Sequence, residues 1–259
     1  RSHDHANGKS AIHMVSAWAN QAGLTLAQKK VDEKSNEITA IPELLSMLEL
    51  CGCVVTIDAI GTQPTIAEKI IDDEADYVLA MKGNKSLHHE QVKLFFEGIE
   101  TEQETAAVCD YHKTVNKDHG RIEIRECWAT DDLQWLEGRQ RFKNLRSICA
   151  VKSQRIIGDK TSTRYLYYIS SLPAEAERLA HTIRAHWGIE NYLHWVLDVA
   201  FREDECRKRK DNSAENFAIL RHITLNLLKQ EKTCKRSIAG KRLLAGWDSN
   251  YMEKVLFKG

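Results

Sequence analysis

The chain has 259 residues, 42% hydrophobic and 29% charged, with 37 Lys and Arg balanced by 37 Asp and Glu. That length supports a real core, as one large domain with an insertion or as two modest ones, and a net charge of zero neither favours nor excludes a nucleic-acid partner. No apolar run approaches the roughly 18 residues of a membrane span, and seven cysteines without a CxxC pair exclude a disulfide framework or a zinc ribbon and fit free thiols in a reducing cytosol.

In chain order, 11–20 and 24–31 read as two strands joined by a tight connection, hence an antiparallel pair. Helical spacing follows over 35–50, with Ile38, Ile41, Leu44, Leu45 and Leu48 as one stripe, Ser35 or Asn36 as cap and Pro42 in the first turns. The segment CVVTIDAIGTQ (53–63) is a strand with almost no alternation, which predicts burial on both faces, and it ends on Asp58. A short amphipathic helix at 63–75, with Pro64 near its first turn, leads to a continuous apolar strand at 76–82. Strand, helix and strand with short links predict a βαβ unit with parallel strands. Antiparallel strands, a helix and then this unit predict an α/β fold, a mixed sheet flanked by helices.

Further on, 86–100 reads as helix, and 120–129, 145–157 and 163–172 as strands, so 86–172 is expected as a β-rich insertion. A long helical region from Ser171 and Pro173 to 201, and an amphipathic helix over 213–230, complete the pattern. The expected divisions are 1–85, 86–172, 173–230 and a basic C-terminal tail at 231–259.

Several residues stand out chemically. Ligands of open α/β sheets sit beyond the carboxyl ends of parallel strands, so Asp58 reads either as a metal ligand or as the cap of the following turn. Glu190 lies beside a stripe of Ile189, Leu193, Val196 and Ala200 and between Trp187 and Trp195. There it reads as a paired, protonated or metal-bound carboxylate, or as a surface acid contacting His194 four residues on. His186, Glu190 and His194 share a face, but three ligands on consecutive turns do not readily close a zinc site, and HExxH is absent. HGRIEIR offers His119, Arg121 and Arg125 to phosphates, or else forms a charged edge strand with Arg–Glu pairs. ECRKRKD presents Arg207, Lys208, Arg209 and Lys210, a backbone clamp or a solvated loop. From Glu205 to the end there are 13 Lys and Arg against 6 Asp and Glu, an asymmetry that hints at an anionic partner. Nucleotide-phosphate motifs (GxxxxGK[ST], GxGxxG) and the GxSxG nucleophile elbow are absent.

Taken together, AIHMVSAWANQAGLTLAQKK, VVTIDAIGTQ, ADYVLAMKGNK, HGRIEIR and IRAHWGIENYLHWVLDVAFREDECRKRKDNSAENFAILRHI resemble the H-repeat-associated, Rhs-linked insertion-sequence transposases. The resemblance runs in order along nearly the whole chain. It implies an RNase H-like core interrupted by a β-rich insertion before the last catalytic helix, and DDE chemistry. In that family three carboxylates hold two Mg²⁺ (or Mn²⁺) ions. Asp58 matches the second carboxylate, in its TIDA context, and Glu190 the third, in its HWxIEN helix. DNA is the implied partner, both element ends and target, with room for a homodimer on it, in the bacterial cytoplasm at the nucleoid and not at a membrane.

Two departures follow. The family's first carboxylate precedes the position of Arg1, and Asp4 in its polar loop is no substitute. Opening on Arg1 rather than methionine, the sequence reads as a segment of a longer protein, inactive alone. His186 stands where related transposases carry an Arg and Leu197 where they carry a Lys, so the phosphate-clamping role would fall to 207–210. The competing expectations are an RNase H-like nuclease without strand transfer, and a catalytically dead DNA-binding remnant of a transposable element.

Overall fold

A computed structural model describes residues 13–31, 36–81, 87–101, 109–118, 120–208 and 210–257. Asp4, Ser35, His119 and Arg209 lie outside these residues. The chain divides into two compact units, one of residues 1–48 with 187–259 and one of residues 49–186. The expected boundaries at 85/86 and 172/173 both fall inside the second unit.

The second unit is built on a six-stranded mixed sheet. Its strands are β3 (Val54–Ile57), β4 (Asp76–Met81), β5 (Asp110–Asp118), β6 (Arg121–Thr130), β7 (Ser147–Ile157) and β8 (Lys160–Ser170), in the order β3-β4-β8-β7-β6-β5. Strands β3 and β4 run parallel in register Val54↔Asp76 through Ile57↔Leu79, joined by helix α2 (Pro64–Asp72) with Pro64 in its first turn. Every other pairing is antiparallel. Strands of the expected insertion therefore continue the sheet, since β8 pairs with β4 directly.

Helix α4 (Ala176–His186) lays Ala176, Leu179 and Ile183 against Val78, Ala129, Cys149 and Tyr168 of the sheet. Spacings of three and four put those three side chains on one face. It begins later than Ser171 and Pro173, because Ser171 is consumed by the sheet: its hydroxyl accepts from Tyr77 N at 2.9 Å and donates to Asp76 at 2.6 Å. Helix α3 (Leu87–Thr101) packs on β8, with Phe96 stacked on Tyr167.

Burial of β3 differs from expectation. It is the terminal strand of the sheet order, so one flank has no neighbour among the described residues, and its side chains are half-buried, with Val54 exposed.

In the first unit, β1 (Met14–Ala19) and β2 (Leu24–Lys30) are antiparallel as predicted, with Gly23 at φ +67° in the turn. They form a two-stranded sheet of their own and do not join the mixed sheet. Helix α1 (Glu37–Leu45) packs on both strands and buries Ala40, Ile41, Leu44 and Leu45. Helix α5 (Trp195–Phe201) and helix α6 (Ser213–Gln230) meet through Leu197 and Leu225, with Leu193 of the turn before α5 in the same buried cluster. Asn226 of α6 imitates a strand partner, accepting from Thr25 N at 3.0 Å and donating to Thr25 O at 2.7 Å.

The stretch expected as a basic tail folds into α7 (Ile238–Trp247) and α8 (Ser249–Phe257). Its Lys241 is buried, donating to Leu228 O at 3.0 Å and pairing with the buried Glu231. No helix among the described residues is long and apolar enough to cross a membrane.

Candidate catalytic and DNA-binding site

Asp58 closes β3 at its carboxyl end, where the chain leaves the sheet into a 3₁₀ turn, Ala59–Gly61. Its Oδ1 accepts from Ile60 N at 3.2 Å, so the capping role is real. A carboxylate offers about four lone-pair sites, and Asp58 is exposed, which leaves acceptor capacity facing solvent. Capping fixes the side chain without consuming it.

His186, the last residue of α4, reaches the same strand end. Its Nδ1 shares a hydrogen bond of 3.0 Å with Thr56 Oγ1, two residues before Asp58. Burial pushes the imidazole below the ordinary histidine range, while the Asp58 charge pulls it upward. His186 is therefore half-buried near both a hydroxyl and a carboxylate. Sequence alone marked it as a departure from an Arg and as one of three residues sharing a helical face, not as a partner of the strand. The signal that could have located it is the apolar stripe of α4, which fixes the helix on the sheet and so brings its last residue to the strand end.

Glu190, in the other unit, opens a π-helical turn, Glu190–His194, that leads directly into α5. Such turns occur frequently at functional sites. Its carboxylate meets His194 Nδ1 at 3.1 Å, and its side chain is 64% exposed. Trp187 and Trp195 are exposed as well, so Glu190 does not sit in an apolar enclosure. Leu193 and Ala200 are buried, as is Leu197, and Ile189 and Val196 are partly so.

Acidic neighbours surround this turn that the sequence did not single out. Burial and the Asp204 charge push the Asp198 carboxyl above the usual range, with Glu190 adding to it. Burial likewise raises Glu203, against the pull of Arg221 at 3.1 Å. For Glu203 the sequence signal was the run Glu203-Asp204-Glu205, separated from the basic run by Cys206.

Next to these acids lies a cavity of about 250 Å³, lined among others by His194, Asp204, Cys206, Lys208 and Arg221. Lys208, of the basic run, thus shares a cavity with the partner of Glu190. Its ammonium also lies 3.8 Å from the Phe217 ring centroid, a cation–π contact. Arg207 and Lys210 are exposed.

Arg121 and Arg125 sit on β6, which is flanked by β5 and β7 and is not an edge. Both engage Glu123 of the same strand, Arg121 at 3.0 Å. Glu123 stays below the usual carboxylate range; burial opposes this, and the bond and charge of Arg125 prevail.

The donor chemistry suits a hard divalent ion. Asp58 and Glu190 both present exposed carboxylate oxygens, the ligand type that Mg²⁺ and Mn²⁺ prefer.

Known proteins share this sequence over most of its length. The family model described as "Transposase DDE domain" matches residues 1–227. The Escherichia coli K12 protein named "H repeat-associated putative transposase YhhI" is 40% identical over 98% of this chain and 68% of its own length. "Putative protein YbfL" of the same strain is 40% identical with the same coverage. "Putative transposase YncI" of Escherichia coli O157:H7 is 41% identical over 98% of this chain and 66% of its own length.

Proposed function

Because the chain belongs to the DDE transposase family, we propose that it carries the catalytic segment for cleavage and strand transfer of an insertion sequence. The observation that carries the reading is Asp58, solvent-facing at the carboxyl end of a parallel strand and held there by its own cap.

In this reading Asp58 and Glu190 would each offer a carboxylate to Mg²⁺ or Mn²⁺, the hard ions such oxygens suit. Bound ions supply an activated oxygen nucleophile and stabilise the leaving oxygen. Asp58 is oriented by Ile60 N, and His186 braces the strand that carries it through Thr56. Glu190 is oriented by His194 in the same way. In the first reaction a water oxygen bonds to phosphorus, the bond to the 3′ oxygen breaks, and a 3′-hydroxyl is released. In the second that hydroxyl attacks a target phosphorus with the same exchange of bonds. Both steps proceed without a covalent enzyme intermediate.

Lys208, which lines the same cavity as His194, supplies positive charge for the DNA backbone together with Arg207 and Lys210. Arg121 and Arg125 have weaker support, since Glu123 already engages both. DNA is the partner, and the bacterial nucleoid the place of action.

The deciding experiment is end cleavage by an element-encoded protein spanning the full length of these relatives, with Asp58→Asn and Glu190→Gln beside the parent. Loss of Mg²⁺-dependent cleavage in both supports the assignment. Parental activity in either removes that residue from the site.

A further inference from the structure

Apart from Asp58 and Glu190, a second group of possible ligands joins β5 to α4. An imidazole nitrogen of His112, a carboxylate oxygen of Glu177 and an imidazole nitrogen of His181 all lie within 4.8 Å of one another. Glu177 and His181 are four residues apart on α4, with Oε1 3.8 Å from Nε2. That spacing places both on one helical face. His112 approaches from β5, its ring centroid 5.9 Å from that of His181.

Two observations separate this cluster from an ordinary polar surface. His112 Nε2 is buried and has no hydrogen-bond partner among the described residues. A buried polar atom left unpaired in a folded protein requires a reason, and an ion that belongs there is one. The framework is also fixed in advance. Asp110, two residues before His112, accepts from Ala176 N at 2.7 Å and so holds the start of α4 on β5.

We infer that His112, Glu177 and His181 form a binding site for a divalent first-row transition metal, with zinc the best match. Two imidazoles and one carboxylate, with a fourth position open to water, is an established zinc donor set. Imidazole nitrogen suits zinc and its neighbours and not the hard Mg²⁺. Tetrahedral bonds of about 2.0–2.2 Å require donor atoms roughly 3.3–3.6 Å apart. Glu177 and His181, both exposed, are free to close that difference while His112 and the backbone stay in place. The bound metal would clamp the first turns of α4 to β5. This site is independent of the assignment of Asp58 and Glu190.

The test uses the whole 259-residue chain. Zn²⁺ is titrated by calorimetry in excess Mg²⁺, and Co²⁺ is added to the metal-free protein as a spectroscopic probe. One equivalent of Zn²⁺ should bind, raise the melting temperature and resist displacement by Mg²⁺. Co²⁺ should give tetrahedral d–d bands without thiolate charge transfer. His181→Ala should weaken binding by more than the about 10–100-fold that losing an outer-shell partner costs. Glu177→Gln, isosteric and exposed, guards against a folding artefact and should weaken binding too. Absence of zinc binding overturns the inference. So does affinity unchanged in both variants, or a thiolate band, which would move the metal to the cysteines.

Discussion

Thr56 and His186 are 130 residues apart in the chain and share a 3.0 Å hydrogen bond. The bond ties the end of α4 to β3 two residues before Asp58. It makes the strand end one mechanical piece with the helix, and it holds a histidine whose burial disfavours protonation.

His186→Ala and Thr56→Val should each slow DNA cleavage without changing DNA affinity, and the double variant should be little worse than either single one. Residues joined by one bond fail to add in this way. Purely additive effects, from rates measured for all three variants, would show that the pair does not act through its bond.

Asp58→Asn should preserve fold and DNA binding while removing metal-dependent cleavage. An amide oxygen still accepts from Ile60 N, as Asn caps turns well, but the charge that draws a divalent ion is gone. Circular dichroism beside a cleavage assay separates the two effects.

Reversing charge at Arg207, Lys208 and Lys210 should weaken binding to any duplex. The slope of log affinity against log salt should fall by about 1 for each phosphate that the variant no longer neutralises. Salt-dependent binding isotherms read this directly. An unchanged slope would make the run a solvated loop.

Stability should fall on acidification through His222. Burial, with the charges of His194 and Arg221, pushes this imidazole from 6.5 to about 4, and its Nδ1 meets Thr25 Oγ1 at 3.1 Å. The unfolded chain therefore binds the proton more readily. This group leaves stability unaffected above pH 6.5, and its contribution declines as pH drops from 6.5 towards 4. Melting temperatures across that interval should decline more steeply for the parent than for His222→Gln.

Ser171→Ala should destabilise the mixed sheet by about 1–3 kcal/mol, the cost of leaving a buried donor unpaired. The donor is Tyr77 N–H, whose partner is the Ser171 hydroxyl. A shift in the urea midpoint measures it.

The legible parts of the fold were those where burial wrote a period into the sequence. The βαβ unit is one case, since Ile66, Ala67 and Ile70 mark one face of α2 and β4 is apolar throughout. Strand β5 left no such mark. Its residues, Asp-Tyr-His-Lys-Thr-Val-Asn-Lys-Asp, are largely exposed, and nine register pairs with β6 hold it by backbone bonds that no side-chain pattern records. Periodicity also identifies strands but not partners, which is why β1 and β2 were expected in the mixed sheet and form their own. Of the candidate site, Asp58 was readable as a change of chemistry at a strand end. His186 was not, because its role depends on a contact across 130 residues.

The π turn at Glu190–His194 has a consequence for which changes this protein tolerates. Each residue of an α-helix advances by roughly 100°, and a π turn accommodates one residue more. The carboxylate is thus aimed by a count of residues as much as by their identity. Deleting Asn191 or Tyr192 would keep the helix and its leucines yet swing Glu190 about a quarter-turn from its present direction. Length at this point therefore sets the direction of the carboxylate, and relatives are expected to vary here by substitution far more readily than by insertion or deletion.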